Sequence, residues 1–242
     1  MRAVVQTAYG AYAYVMFTVL GVAAFVAVLV VPGLARRRAI ARAIARLFLR
    51  LAGMRLSVRG IERLPAGQCV VVANHASYLD GVVLTAALPA RFGFVIKREM
   101  AGVPLAASLL HRIGAEFVER FNRNKGAADA RRVLRKAVNG QSLVFFPEGT
   151  FSPQPGLLKF HAGAFLTAAR ARCPIVPTAV RGTREALPPG RMLPRATSIT
   201  VELLPALETS AGDSGSAAAE LRERARQALL QHLTEEPDAA AA

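Results

Sequence analysis

The chain has 242 residues, 31 Lys+Arg against 16 Asp+Glu, a formal net charge of +15, and 53% hydrophobic residues. Such a charge favours an anionic partner. A mean hydropathy of +0.32 and the absence of Trp argue against a nucleic-acid reader built on base stacking, and basic plus apolar together point to a membrane surface.

Residues 3–35 carry no charged side chain, and residues 12–31 are twenty almost unbroken apolar positions. About 20 residues are needed to cross a hydrocarbon core. A signal peptide would place its charge before a shorter run; here Pro32-Gly33 ends the run and Arg36-Arg37-Arg38 follows. The segment is predicted to be membrane-embedded. The excess of arginine after it places the rest of the chain on the cytoplasmic face of the inner membrane. In residues 36–54, Arg42, Arg46 and Arg50 alternate with Ile40, Ile44, Leu47 and Leu51. This predicts a basic amphipathic helix suited to anionic headgroups, each arginine contributing about 1 kcal/mol, and equally able to pack on a following domain.

From residue 60 short apolar runs alternate with helical patterns. Strands are predicted at 69–73, 92–96, 116–118, 143–146, 175–180 and 199–204, and helices at 78–88, 104–112, 127–138 and 163–171. The order implies an α/β fold with a mostly parallel mixed sheet flanked by helices, behind the N-terminal membrane-embedded helical segment. The chain divides into residues 1–56 (membrane and basic helices), 57–208 (the α/β domain) and 209–242 (linker, helix 217–233 and tail). Cys69 and Cys173 lie far apart in apolar runs, without zinc or disulfide-framework spacing. They read as buried reduced thiols of a cytosolic domain.

In such a sheet ligands gather at the carboxyl ends of strands, and several predicted ends carry chemistry. Asn74-His75-Ala76-Ser77-Tyr78-Leu79-Asp80 follows the first strand. A histidine with a carboxylate to fix its tautomer is the pairing that general-base chemistry needs. Lys97 lies at the end of the second strand, and the segment from Gly114 to Arg120 runs through the third and exits on an arginine. Phe146-Pro147-Glu148-Gly149-Thr150 leaves the fourth in a tight turn, where a glycine beside a hydroxyl can offer backbone N–H groups to an oxyanion or phosphate. His111, His161 and His232 read as structural. Taken singly, each element has an ordinary alternative: a solvated cation, a plain turn, a chance spacing.

Taken together and in this order, they resemble the glycerolipid acyltransferase superfamily, specifically the 1-acylglycerol-3-phosphate O-acyltransferases. The motifs fall on Asn74, His75 and Asp80; on Gly114, Phe117, Val118 and Arg120; on residues 146–150 with Ser152; and on Val176-Pro177. The resemblance covers residues 58–204. Phe151 stands where the family frequently has arginine.

The resemblance implies acyl transfer from an acyl-CoA or acyl-carrier-protein thioester to the free hydroxyl of lysophosphatidic acid, giving phosphatidic acid for phospholipid synthesis. His75 would be the base and Asp80 its partner. Arg120, Glu148, Gly149 and Thr150, with Asn74 and Lys97, would bind substrate, Arg120 on the phosphate. A thioester is already activated, so neither a Ser77 nucleophile nor a metal or cofactor is implied. Arg131, Arg132, Arg135 and Lys136, on helix 127–138, read either as a solvated face or as a dock for the acyl carrier. The expected partners are the thioester donor, the lysophospholipid and an anionic membrane surface, not nucleic acid. Phe151 keeps open the same chemistry on another lysolipid, such as lyso-ornithine lipid. A non-catalytic lipid-binding protein is the remaining rival.

Overall fold

The computed structural model describes residues 2–119, 123–210 and 212–234. In chain order the elements are α1 (Arg2–Val30), α2 (Leu34–Leu51), β1 (Arg55–Arg59), β2 (Val70–Ala73), α3 (Asp80–Ala87), β3 (Gly93–Lys97), α4 (Pro104–Arg112), β4 (Glu116–Val118), α5 (Arg123–Val138), β5 (Leu143–Phe145), α6 (Gly163–Ala171), β6 (Ile175–Arg181), α7 (Thr183–Ala186), β7 (Ser198–Leu203) and α8 (Ser214–Thr234), with 3-10 turns at Ile61–Arg63 and Arg98–Gly102. The expected α/β class with a mostly parallel mixed sheet is what the chain forms.

The strands lie in the order β1-β7-β6-β2-β5-β3-β4. Every neighbouring pair is parallel except β6 and β7. The carboxyl ends of β6, β2, β5, β3 and β4 therefore share one edge of the sheet, while β7 and β1 point the other way. β2 sits between β5 and β6 in register, Val72 opposite both Phe145 and Pro177. All four β2 residues are buried, as both-faces-covered strands require.

Two cores follow from the alternation of side chains across the strands. Val71, Ala73, Val144 and Val176 pack with Phe48, Leu49, Val83 and Leu84, from α2 and α3. On the other face Val70, Val72, Leu143 and Ile175 pack with Val133, Phe165, Leu221 and Leu229, from α5, α6 and α8.

The predicted boundaries shift where local chemistry intervenes. The basic helix stops at Leu51, because Gly53 takes a φ of +66°, a conformation glycine reaches without a Cβ clash. The chain then enters β1, a strand hidden to sequence reading by its alternating arginines. α8 begins three residues early, where Asp213 Oδ2 accepts the N–H groups of Gly215 and Ser216, an N-cap arrangement.

Val4–Val30 is a helix long and apolar enough to cross a membrane, with hydropathy 2.5. It runs antiparallel along α2. Tyr9 and Tyr12 hydroxyls donate to the carbonyls of Ala52 (2.6 Å) and Leu51 (3.1 Å), Phe17 meets Phe48 edge-on, and Arg37 Nε donates to Val31 O. Val15, Val19, Val22 and Val26 stay exposed. Of the basic face expected on α2, Arg38 is buried and donates to the carbonyls of Ile113 and Arg91, both at 2.8 Å. Arg46 Nε donates to Ala86 O, and Arg36 and Arg50 point outward. Part of that face is thus bound to the domain.

Candidate active site

The site begins where β2 ends. Asn74 Nδ2 donates to Val180 O at 2.9 Å, and its Oδ1 accepts Val180 N–H at 2.7 Å. The side chain copies a backbone pairing and fastens the exit of β2 to β6. Expected among the substrate contacts, Asn74 is instead committed to the main chain.

The next turn is organised by Asp80, the fully buried first residue of α3. Its Oδ2 accepts the N–H of Ala76 (2.7 Å) and of Ser77 (2.9 Å) and lies 2.8 Å from His75 Nδ1. A carboxylate receiving two N–H donors is an acceptor toward the ring as well, so the proton sits on Nδ1 and the lone pair on Nε2. Ser77 Oγ donates to Leu187 O at 2.7 Å and accepts from Leu79 N–H. It is buried and fully spent.

The loop after β5 closes the other side. Glu148, 3% exposed, accepts the N–H of His75 on Oε1 and of Leu158 on Oε2, both at 2.7 Å. Burial pushes its carboxyl above the ordinary range, and the two N–H donors pull against that. Like Asn74, it holds loops together. Gly149 has a φ of +75°, and its N–H closes the turn onto Phe146 O at 3.0 Å. That N–H is therefore not an oxyanion donor. Thr150 is exposed, and neither its N–H nor its hydroxyl has a partner among the described residues.

Lys97 is exposed at the end of β3, two strands from His75 on the same edge. Arg120 lies outside the described residues, but its approach is defined. Glu119 N–H donates to Asp129 Oδ2 at 3.0 Å. Asp129 also accepts Arg98 Nη2 on both oxygens and Arg132 Nη1 on Oδ1, while Arg132 Nε and Lys136 Nζ reach Glu116 on β4. Burial would raise the Asp129 carboxyl, but these donors hold it down at about 2. The basic stripe on α5 thus splits: Arg132 and Lys136 are spent inward, and Arg131 and Arg135 remain exposed. Sequence reading missed Asp129, whose one signal was a lone carboxylate in an arginine-rich helix. It also missed Arg184, which acts on main-chain carbonyls and leaves no pattern.

The acyltransferase family model matches residues 55–181, more than half of the chain and the whole of this strand edge. The chain belongs to the acyltransferase family. It is 32% identical over 135 residues to a chloroplastic 1-acyl-sn-glycerol-3-phosphate acyltransferase of Brassica napus, covering 55% of this chain and 39% of that protein. It is 32% identical over 161 residues to human 1-acyl-sn-glycerol-3-phosphate acyltransferase beta, covering 65% and 58%. Matches of this kind span from about two fifths to just under two thirds of the relatives' own length. The crystal structure of the 1-acyl-sn-glycerophosphate acyltransferase from Thermotoga maritima superposes with a TM-score of 0.79 over 97% of both chains at 21% identity, which supports the fold of this acyltransferase.

Proposed function

We propose that this acyltransferase moves a fatty acyl group from a coenzyme A or acyl-carrier-protein thioester to the hydroxyl of lysophosphatidic acid, yielding phosphatidic acid. The observation that carries the reading is the His75–Asp80 contact of 2.8 Å at the strand edge, beside a serine whose hydroxyl is already spent. A base without a nucleophile fits direct attack on an activated ester.

His75 Nε2 takes the hydroxyl proton as the acceptor oxygen bonds to the acyl carbon. The tetrahedral oxyanion collapses, the carbon–sulfur bond breaks, and the departing thiolate takes the proton from the imidazolium. Asp80 keeps the ring oriented and stabilises its transient charge, the role a carboxylate has in hydrolase triads. Thr150 is the donor at hand for developing negative charge, and Arg120 is the proposed phosphate contact, with Lys97 a second cation. No cofactor or metal takes part in this scheme.

The apolar outer face of α1 and the outward arginines of α2 support membrane association. We place the domain on the cytoplasmic face of the inner membrane, where a lysolipid is met without extraction. Phe151 favours a second reading, the same transfer to a lysolipid lacking the phosphate.

The test is a transfer assay with several lysolipids and each thioester, the product identified by mass. His75→Ala abolishes ester formation in a folded protein, and near-normal turnover in that variant defeats the mechanism. Arg120→Ala raises the apparent KM for the phosphate-bearing acceptor, and an unchanged KM removes its phosphate role.

A further inference from the structure

Phe151 has no part in that mechanism, yet its ring is one of two that pack on the imidazole, with a third ring packed on Phe151 itself. Phe146 lies against His75 with centroids 4.2 Å apart and planes at 20°. Phe151 meets the imidazole at 4.6 Å and 69°, and Tyr78 meets Phe151 at 4.7 Å and 90°. Phe146 continues a buried strand. Phe151 and Tyr78 stand at the rim, Tyr78 63% exposed.

Apolar burial alone does not hold Phe151 there, since its loop neighbours Thr150, Ser152 and Gln154 are polar. Arg184, on α7, does. Its Nη1 donates to Ser152 O at 2.8 Å and to Pro153 O at 3.0 Å, the two residues after Phe151. The end of α7 is itself fixed by Ser77 Oγ on Leu187 O. One short helix therefore grips both loops that flank His75. Arg184 has no carboxylate partner among the described residues, so its donors serve that loop.

We propose that Phe151, positioned by Arg184, determines whether lipid or water receives the acyl group; this rests on the acyl-transfer reading above. His75 can deprotonate either nucleophile. With water, its oxygen bonds to the acyl carbon, the carbon–sulfur bond breaks, and free fatty acid and thiol leave. With the lysolipid, an ester and the same thiol leave. Water beside the imidazole needs hydrogen-bond partners beyond Nε2 itself, and the Phe146 and Phe151 rings that pack on His75 supply none. The glyceryl and acyl parts of a lysolipid gain by covering the same rings.

The experiment uses the full chain in detergent micelles with acyl-CoA and lysophosphatidic acid, and quantifies free fatty acid and diacyl product by mass. Phe151→Ala raises the hydrolysis-to-transfer ratio by about tenfold, the lower end for losing an apolar pocket contact. Phe151→Leu, which rebuilds an apolar wall, recovers most of the ratio. Arg184→Ala shifts the ratio the same way, and adds nothing in the Phe151→Ala background because both act through one ring. A slower Phe151→Ala enzyme with the wild-type ratio overturns the proposal, as does full additivity with Arg184→Ala. Those failures leave acyl transfer standing. A wild-type protein that forms no ester with any lysolipid takes down both readings.

Discussion

The backbone N–H of His75 donates to Glu148 Oε1 at 2.7 Å, so the third sequence motif sets the height of the first. The other oxygen holds Leu158 N–H, and one buried carboxylate thereby ties the loop after β2 to two points of the loop after β5. An amide cannot do this, because it has a single acceptor and would turn an NH₂ toward an N–H.

Glu148→Gln is expected to cost about 1–3 kcal/mol of unfolding free energy at neutral pH and to lower kcat, read by urea unfolding and by turnover. The pH dependence has a definite sign. The folded carboxyl titrates above its ordinary 4.5, so between the two values the folded state binds more protons than the unfolded chain. This proton-linked part of its contribution is present below 4.5 and is lost as pH rises through the raised value, while the two N–H bonds remain at neutral pH for the variant to disturb. Glu148→Gln removes that slope. Wild-type stability in the variant would show that the carboxylate holds nothing.

Asp80→Asn tests the tautomer. The amide can offer its NH₂ to Nδ1, which moves the ring proton to Nε2 and leaves no lone pair for the acceptor. A fall in kcat of about 10³-fold or more is expected with little change in KM. It would be measured at saturating acceptor, with the melting temperature as control. A fall below tenfold would mean that Asp80 merely braces the turn of Ala76 and Ser77.

How much of this was legible in the sequence depended on the kind of interaction. Elements with apolar periodicity were readable: α4, β4 and α6 fall on the residues that pattern and turn signals mark. β1 was not, because its arginines alternate along an edge strand, where one face is open to solvent. The His75–Asp80 pairing was readable because both ends lie within one turn and the chemistry demands those residue types. The commitments of Asn74 to Val180 and of Glu148 to His75 and Leu158 were not. A side chain that binds a backbone group far along the chain leaves no pattern in residue types. The same holds for Arg38, which reads as one more headgroup arginine and is buried on the carbonyls of Ile113 and Arg91.

The two thiols give a simple check on the core. Cys69 and Cys173 are 0% and 3% exposed, and burial pushes both thiols up to about 11. The thiolate is the reactive form. Iodoacetamide at pH 8 is therefore expected to leave the native protein unlabelled and active, and to label both cysteines in denaturant, as read by intact mass. Rapid labelling of the native protein would contradict the packing of β2 against the loop before β6.

Asp129→Asn tests the frame that leads to Arg120. Arg98, the Glu119 N–H and Arg132 hold this carboxyl at about 2, below its ordinary 3.8. A depressed acid contributes stability above 3.8, and that contribution is lost as pH falls from 3.8 through 2. In the variant the acid-unfolding profile loses this component. Near neutrality the loss is about 1–3 kcal/mol, limited because Arg98 and Arg132 are 44% and 39% exposed and can turn to water. The functional consequence separates framing from bulk stability. Glu119 N–H loses its charged acceptor one residue before Arg120, so the apparent KM for lysophosphatidic acid rises. The rate at saturating acceptor, set by His75 and Asp80 three strands away, changes less. A uniform drop in kcat with unchanged KM would place Asp129 outside the acceptor site's support.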